Sequence, residues 1–543
     1  MRISLLVDGP HLSAWQRAAA RSLVDAGAEV ALVLHEAEPP SLPPVPDALA
    51  TLAWKLVDTL DRRLADRRER TRGIEDSTPI AEALPNAARL ALKPAPAARA
   101  QAARGVLKGI DLVIALDTAR GPLPGDALPT GTRQWIVSLS AYELAAGVAR
   151  GFWEAARGEE TVRVAVRDAA DGRLLRHRIL GADSLTWTGQ RRMAAMLVGP
   201  MLVDALARWR RDEGPHVGDG PPADAIVDCL PEFDDHPRLG LPGTRAILAG
   251  LRRKFVYVGG ELLARRSVER WQIHVGQARG GAARLRDFET IVAPPGSIWA
   301  DPFPRVVAGA DGKPDLVIFA EEERDDRGRG TIVLLSRGDA GWSATPIYEA
   351  EHHLSYPFLF DWGGERYMIP EAGGGKEIPL LRMGASITQW ERLAPLMRGE
   401  SAVDTSLLAH EGRVWLFTSF TRHPDFGSHY RELHLFHATD FPSTEWVPHP
   451  ANPIVCDARV ARMGGGFLRR GGALYRVAQG ARKGVYGTSI ELRRITRLDP
   501  ERYAEESAGT IGCGFAPGLA GAHHLAEADG WIAIDSRRRD ARR

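Results

Sequence analysis

A glycine-centred hairpin recurs five times in the second half of the sequence, and a chain built from such units has few ways to bury them. The turn glycines are Gly312, Gly364, Gly412, Gly472 and Gly530, spaced 52, 48, 60 and 58 residues apart. Each leads into a short apolar run: Val317–Glu321, Arg366–Glu371, Val414–Ser419, Leu474–Gln479 and Trp531–Asp535. Short runs of Val, Ile, Leu, Phe, Trp and Tyr punctuated by glycine predict β-strands. One hairpin cannot cover its own apolar face, so units of this length close by packing around an axis, as propeller blades do. The expected fold of residues 266–540 is an all-β five-bladed β-propeller.

Hairpin geometry then places particular residues. The returning strand is antiparallel, so its end comes back beside the start of the first strand. Asp301 pairs in this way with Glu321, Tyr356 with Glu371, Asp404 with Ser419, Arg462 with Gln479 and His524 with Asp535. Packing around an axis gathers these ends, with His523, on one face. Three carboxylates from successive blades, Asp301, Glu371 and Asp404, are the candidate catalytic residues. Glycoside chemistry requires one ionised carboxylate as base or nucleophile and a second held protonated as acid. Trp299, Glu321, Tyr356, Arg462, Gln479, His523, His524 and Asp535 are the candidate substrate-binding residues. Arg462 and the histidines suit sugar hydroxyls or a phosphate, and Trp299 and Trp415 offer faces for sugar rings, although a Trp in a blade is more often core. The alternative is structural: acids at strand ends also cap turns and pair with arginines such as Arg459 and Arg462.

Composition narrows the class further. The chain has 543 residues, enough for two or three domains, with Lys+Arg 70 against Asp+Glu 69. That balance, and the lack of a basic stripe with interleaved aromatics, argues against nucleic acid as partner. Cys229, Cys456 and Cys513 form neither a zinc spacing nor a disulfide framework, which favours a reducing compartment. The opening strand Met1–Val7 is too short for a signal peptide, and no run approaches a membrane span. The expected location is cytoplasmic, with peripheral membrane contact left open. No cofactor is expected: Gly373-Gly-Gly-Lys376 lacks the strand–loop–helix setting of a phosphate-binding loop. No metal is expected either, His523 and His524 being read as hydrogen-bonded histidines.

Residues 1–211 have a different pattern. Strand, helix and strand follow at Ile3–Val7, Ser13–Ala26 and Glu29–Leu34, an opening of β-α-β type. Residues 40–110 are read as inserted helices and loops. Strands at Asp111–Leu116 and Gln134–Leu139 follow, then a helix from Gly151, a hairpin about Asp171–Gly172 and a long helix over 190–211. This order indicates an α/β domain with a largely parallel sheet. Ligands in such sheets sit at the carboxyl ends of strands, where Asp8, Gly9 and His11 fall, although a turn and cap explains those three equally. A segment punctuated by Pro and Gly, residues 212–265, links the halves and ends in a helix around Gly243–Leu263.

Two family resemblances add to this reading. The first 211 residues resemble the formyltransferase fold (Rossmann-type). The residues concerned are Trp135-Ile-Val-Ser-Leu, Gly151-Phe-Trp-Glu and Asp171-Gly-Arg-Leu-Leu. The family's catalytic histidine position falls on Val137 or Ser138, so the resemblance implies a degenerate domain rather than a formyl or acyl transferase. The second half resembles the propeller domain of the glucosamine inositolphosphorylceramide transferase family, within the wider group of glycoside-hydrolase-like propellers. It does so through Trp299-Ala-Asp-Pro-Phe, His353-Leu-Ser-Tyr-Pro-Phe, Met368-Ile-Pro-Glu, Ala402-Val-Asp-Thr-Ser, Trp415-Leu-Phe-Thr-Ser, Pro448-His-Pro-Ala-Asn-Pro, Asp457-Ala-Arg-Val-Ala-Arg and Gly521-Ala-His-His-Leu. That resemblance implies a general base at Asp301. It leaves the rest of the acid set open, because Asp404 stands where the wider group usually has Glu. In plants this domain precedes a separate glycosyltransferase domain, which this sequence is expected to lack.

The functional expectation is a carbohydrate-active protein working on a cell-surface glycan or glycolipid, by glycosyl transfer or glycoside hydrolysis, in polysaccharide or glycolipid biosynthesis. Its partners would be a glycan, a nucleotide sugar or a glycolipid head group. The alternative is a non-catalytic glycan-binding module. A formyl or acyl transferase acting through the first half is the third reading.

Overall fold

The structure, a computed structural model, describes residues 1–37, 48–68, 76–93, 95–118, 121–140, 151–182, 186–211, 239, 241–264, 267–278, 285–309, 312–420, 432–482 and 485–541. These fall into two compact units that part near Gly260, inside the helix Thr244–Ala264. The helix expected in the linker therefore packs mainly with the first unit.

The first unit is built on one seven-stranded sheet. Its strand order is Ala88–Leu92, Glu29–Glu36, Arg2–Val7, Leu112–Leu116, Arg133–Ser138, Thr161–Asp168, Leu174–Gly181. The first five are parallel and the last two antiparallel. The central strands Arg2–Val7 and Leu112–Leu116 are buried on both faces and, apart from Arg2 and Ser4, apolar, as a sheet covered on two sides requires. The strand Ala88–Leu92 corrects the reading of 40–110 as helices and loops: it is an edge strand with only Leu92 buried. The expected long helix is two, Trp187–Met196 and Val198–Arg211. Asp171, in the hairpin turn, is exposed and its Oδ1 accepts the Arg173 N–H at 2.9 Å. Val137 lies in the core, 1% exposed.

The second unit is a propeller of five antiparallel sheets. Blade one is Ser297–Ala308, Pro314–Arg324, Gly330–Gly338 and Gly341–Tyr348. Blade two is Ser355–Trp362, Glu365–Glu371, Leu381–Met383 and Trp390–Arg392; blade three is Ala402–His410, Arg413–Phe420, His434–Ala438 and Val447–Pro448. Blade four is Met463–Arg470, Ala473–Arg482, Val485–Leu498 and Tyr503–Ile511. Blade five takes strands from both ends of the unit. Leu519–Gly521 and Leu525–Ala528 pair with Trp531–Ala541, which pairs with Ser267–Gln277 and, beyond it, Glu289–Ile291. The eleven-residue register between Ser267–Gln277 and Trp531–Ala541 closes the ring. The first strands of the blades contact one another and so line the axis.

All five turn glycines lie in the left-handed region, at φ 77, 84, 71, 80 and 77° for Gly312, Gly364, Gly412, Gly472 and Gly530. A side chain at these hairpin positions would be strained. The innermost strands share a second feature. In blades one to three, two residues oppose one on the partner strand: Asp301 and Pro302, Tyr356 and Pro357, Asp404 and Thr405. In each bulge the first residue has positive φ, 51° at Asp301, 46° at Tyr356 and 50° at Asp404. Blade four has three glycines there, Gly464 to Gly466, and blade five breaks its inner strand at Ala522–His524. A bulge turns the chain and re-aims side chains and N–H groups, which brings functional side chains to the axis.

Tyr356 ties three blades at the centre. It is fully buried, its hydroxyl lies 2.8 Å from Ser406 Oγ, and it accepts the Gly465 N–H at 2.9 Å. Tyr356→Phe is expected to cost about 1–3 kcal/mol, because the Gly465 N–H loses its acceptor inside the protein. Urea unfolding measures this; a change within error would mean that the seam holds by packing alone.

Candidate functional site

Carboxylates hold the bulges in register. Asp535 Oδ2 accepts the Asp301 N–H at 3.0 Å, Asp301 Oδ2 accepts the Tyr356 N–H at 3.1 Å, and Glu371 Oε2 accepts the Asp404 N–H at 3.3 Å. Each carboxylate thus binds the backbone of the next blade, from five to one, one to two and two to three. Asp404 is bonded by Arg462 Nε and accepts from Gln479 Nε2 at 3.1 Å, while Arg462 also reaches Glu371 Oε2 at 3.3 Å. At the seam of blades four and five the approach is met by glycine, since a Cβ on Gly465 would run into the Leu525 carbonyl.

The histidines complete the cluster. His523 Nδ1 donates to Asp535 Oδ1 at 2.7 Å, which points Nε2 toward Asp301 Oδ1, 3.7 Å away. The Trp271 ring stacks on His523 at 4.2 Å between centroids. His524 Nδ1 stands 3.5 Å from Asp301 Oδ1, and Phe303 meets its ring edge-on at 4.6 Å. Asp301 Oδ1, both His524 ring nitrogens, Gln479 Oε1 and Ser419 Oγ are buried without a hydrogen-bond partner. Such atoms are costly inside a protein and are rarely left unmatched.

The two central acids are driven in opposite directions. Burial pushes Asp301 up, but the approach of His524 and the charges of His523, His524 and Arg462 outweigh it and hold its pKa at about 2. Burial pushes Asp404 up as well; Arg462 pulls it back, Glu371 and Asp301 add to the rise, and it lies at about 7. Glu371 and Glu321 are both raised, chiefly by burial. Near neutral pH one central carboxylate is therefore ionised and another is close to half protonated.

Of the residues expected at this face, the structure brings together Asp301, Glu371, Asp404, Arg462, Gln479, His523, His524 and Asp535. Glu321 adjoins them through His353, whose Nε2 donates to Glu321 Oε1 at 3.1 Å. Trp299 is placed differently: it is 2% exposed, its Nε1 donates to Glu322 at 3.0 Å, and it offers no ring face to a sugar. Trp415 is likewise core, at 1% exposure. Tyr356 faces the axis, but its hydroxyl is committed to Ser406 and Gly465. His353 and Trp271 were not among the expected residues. His353 opens the motif that contains Tyr356, and only the packing of blade two on blade one reveals Glu321 as its partner.

Among the described residues, two groups of side chains bring ligand atoms within 4.8 Å of one another, Asp301–His523–Asp535 and Glu321–Glu323–His353. In the second, His353 Nδ1 accepts the Gly330 N–H at 2.9 Å, so its proton is on Nε2, where it is donated to Glu321. No ring lone pair remains for a cation. In the first, Asp535 already takes His523 Nδ1 and the N–H groups of Asp301, His523 and His524. With its pKa raised to about 9, His523 carries a proton on each ring nitrogen near neutral pH, so this group falls short of the three or four lone pairs a metal site gathers.

The cluster links stability to pH. Burial alone would lower His523, but the Asp535 carboxylate beside it raises its pKa from 6.5 to about 9. A raised pKa in the folded state stabilises fully below the unfolded value and is lost as pH climbs through the folded one. This contribution is on the order of 3 kcal/mol. Asp404 works in the same sense at lower pH. The melting temperature is expected to fall between pH 6.5 and about 9, and His523→Gln should flatten that slope. An unchanged slope in the variant would place the titrating group elsewhere.

These features define a five-bladed propeller whose inner strands gather acids, histidines and Arg462 around its axis. Residues 293–511 match the family model described as glucosamine inositolphosphorylceramide transferase 1, N-terminal. Glucosamine inositolphosphorylceramide transferase 1 of Oryza sativa subsp. japonica is 33% identical over 217 residues, 39% of this chain and 28% of the relative. That of Arabidopsis thaliana is 31% identical over 217 residues, 39% of this chain and 27% of the relative. The chain thus spans less than a third of the length of these plant relatives. Among solved structures, a β-1,3-galactosidase of the GH43 group is 9% identical with a TM-score of 0.32, covering 45% of this chain and 57% of that one. An exo-1,5-α-L-arabinanase from a bovine ruminal metagenomic library is 10% identical with a TM-score of 0.28, covering 37% and 76%. Glycinamide ribonucleotide transformylase 1 from Symbiobacterium toebii is 14% identical with a TM-score of 0.24, covering 39% and 88%.

Proposed function

We propose that the axial face of the propeller binds the head group of a glycan or glycolipid and acts on it with two carboxylates, Asp301 ionised and Asp404 protonated. The observation that carries this reading is the convergence at the axis of Asp301, Glu371 and Asp404 with Arg462, the histidines and buried polar atoms that make no hydrogen bond; the surroundings push the two acids apart, Asp301 down and Asp404 up. Sugar hydroxyls donate and accept at once, and so complement a mixed set of carboxylate, imidazole, amide and hydroxyl atoms. In glycoside chemistry the protonated carboxyl gives its proton to the leaving oxygen, while the ionised one activates water or attacks the sugar carbon. Glu371 and Arg462 are the more open members, with side chains 12% and 17% exposed, and would orient the ligand. A guanidinium there also suits a head-group phosphate. The name of the plant relatives, glucosamine inositolphosphorylceramide transferase, is in keeping with a glycolipid as ligand. We read the first unit as a formyltransferase-like fold without that family's chemistry, since Val137 is core and Asp171 caps its own turn.

Recognition without turnover is the second reading. One observation favours it: the Asp404 side chain is 1% exposed and already bonded to Arg462 and Gln479. The experiment is binding and product analysis on a panel of glycans, nucleotide sugars and glycolipid head groups, with wild type and Asp404→Asn. Turnover that the variant loses supports the carboxylate pair. Binding without turnover, equal in both, leaves a recognition module, and no binding by either sinks both readings.

A further inference from the structure

Two helices of the first unit carry apolar stripes that no described residue covers. On Ala48–Arg68, Leu52, Leu56 and Leu60 are 68, 62 and 54% exposed, one turn apart on one side. On Thr244–Ala264, Leu248, Phe255 and Val256 are 59, 75 and 68% exposed. The opposite sides of both helices are used normally. Trp54, Val57, Ile247 and Leu251 share one apolar cluster with Phe152 and Trp187, and Lys254 bonds Asp61 across the two helices.

The acids of Ala48–Arg68 are all taken up by protein partners. Asp58 and Asp61 point inward, where they accept from Trp187 Nε1 at 3.1 Å and the Thr188 N–H at 2.9 Å, and Asp66 pairs with Arg192 at 2.7 Å. Lys55, Arg63, Arg245, Arg252 and Arg253 are exposed, while Arg62, also exposed, is paired with Asp58 at 2.8 Å. From Thr244 to Gly260 there is no Asp or Glu at all. An apolar stripe rimmed by bases, with Asp58 and Asp61 turned inside and the more exposed Asp66 neutralised by Arg192, is the pattern of a helix that lies on an anionic bilayer: the stripe enters the acyl boundary and the bases meet the head groups. A second copy of the chain is disfavoured as the cover, because a symmetric contact would set two basic rims against each other.

We propose that these two helix faces dock the protein on the surface of an anionic lipid bilayer. The test is sedimentation of the full chain with vesicles of phosphatidylcholine alone and of phosphatidylcholine mixed with phosphatidylserine. Binding is expected only to the mixed vesicles, weakening with salt. Arg245→Glu/Arg252→Glu should lower it by about fivefold per base, and Leu56→Ser/Phe255→Ser by about tenfold or more. All four side chains are exposed, so circular dichroism should show both variants folded. The proposal is overturned if wild type ignores the mixed vesicles, or if the Leu56→Ser/Phe255→Ser protein binds like wild type. It is equally overturned if wild type is a dimer by light scattering that these same substitutions render monomeric.

Discussion

Asp301→Asn is expected to leave a folded protein that still binds its head group but turns it over about two to four orders of magnitude more slowly. The amide keeps an oxygen to accept the Tyr356 N–H, so the tie between blades one and two survives. What disappears is a charge that is already ionised at any ordinary pH, since its pKa is about 2. The pH profile separates this from a structural effect. With the base ionised throughout, wild-type rate should show no acid limb and should fall as Asp404 loses its proton near pH 7. Asp301 is one of the charges that raise Asp404, so the variant's remaining activity should decline at lower pH than wild type. His523, which draws part of its raised pKa from Asp301, should also titrate lower, read as an imidazole resonance in an NMR titration. Wild-type turnover in Asp301→Asn would move the chemistry away from this carboxylate. Loss of folding together with binding would make it a blade tie and nothing more.

How far the sequence reveals such a site depends on which atoms fix each residue. The blade hairpins were legible because their turns sit at positive φ, where glycine relieves a local strain that any reader of the chain can see. The pairing of Arg462 with Gln479 followed from antiparallel register alone, the Gln479 N–H reaching the Arg462 carbonyl at 2.9 Å; Ser419 pairs instead with Val403, and Asp404, expected opposite it, lies in the bulge. The bulges were not legible. Asp301, Tyr356 and Asp404 take positive φ without being glycine, and what holds them there is a carboxylate from another blade, 234, 55 and 33 residues away. No local propensity encodes that. The same distance in sequence hid the His353–Glu321 pair and the burial of Trp299, whose indole is taken by Glu322 rather than offered to a ligand. In the first unit, Ala88–Leu92 escaped notice because Ala, Arg and Leu favour helix, and the strand exists only by pairing with Glu29–Glu36 at the sheet edge.

Arg462→Met is expected to be the most destabilising single change at this face, by about 3–5 kcal/mol near neutral pH. The guanidinium serves two carboxylates whose side chains are 1% and 12% exposed, Asp404 and Glu371. Methionine fills much of the volume, so the loss is electrostatic: two acids remain buried with no cation beside them. The loss should shrink in acid. Asp404 stands at about 7 even with Arg462 pulling it down, and without that charge it will hold its proton to higher pH. A carboxylate whose folded pKa is raised stabilises below its unfolded value and loses that contribution as pH rises, so the variant's unfolding free energy should drop more steeply from pH 5 to pH 8 than that of wild type. Adding Asp404→Asn removes the stranded charge, and the double variant should recover most of the loss, a coupling that a double-mutant cycle by urea unfolding reads directly. A cost under about 1 kcal/mol at pH 8 would mean that water already serves these acids. In that case the role of Arg462 is to meet a ligand phosphate rather than to hold the cluster together.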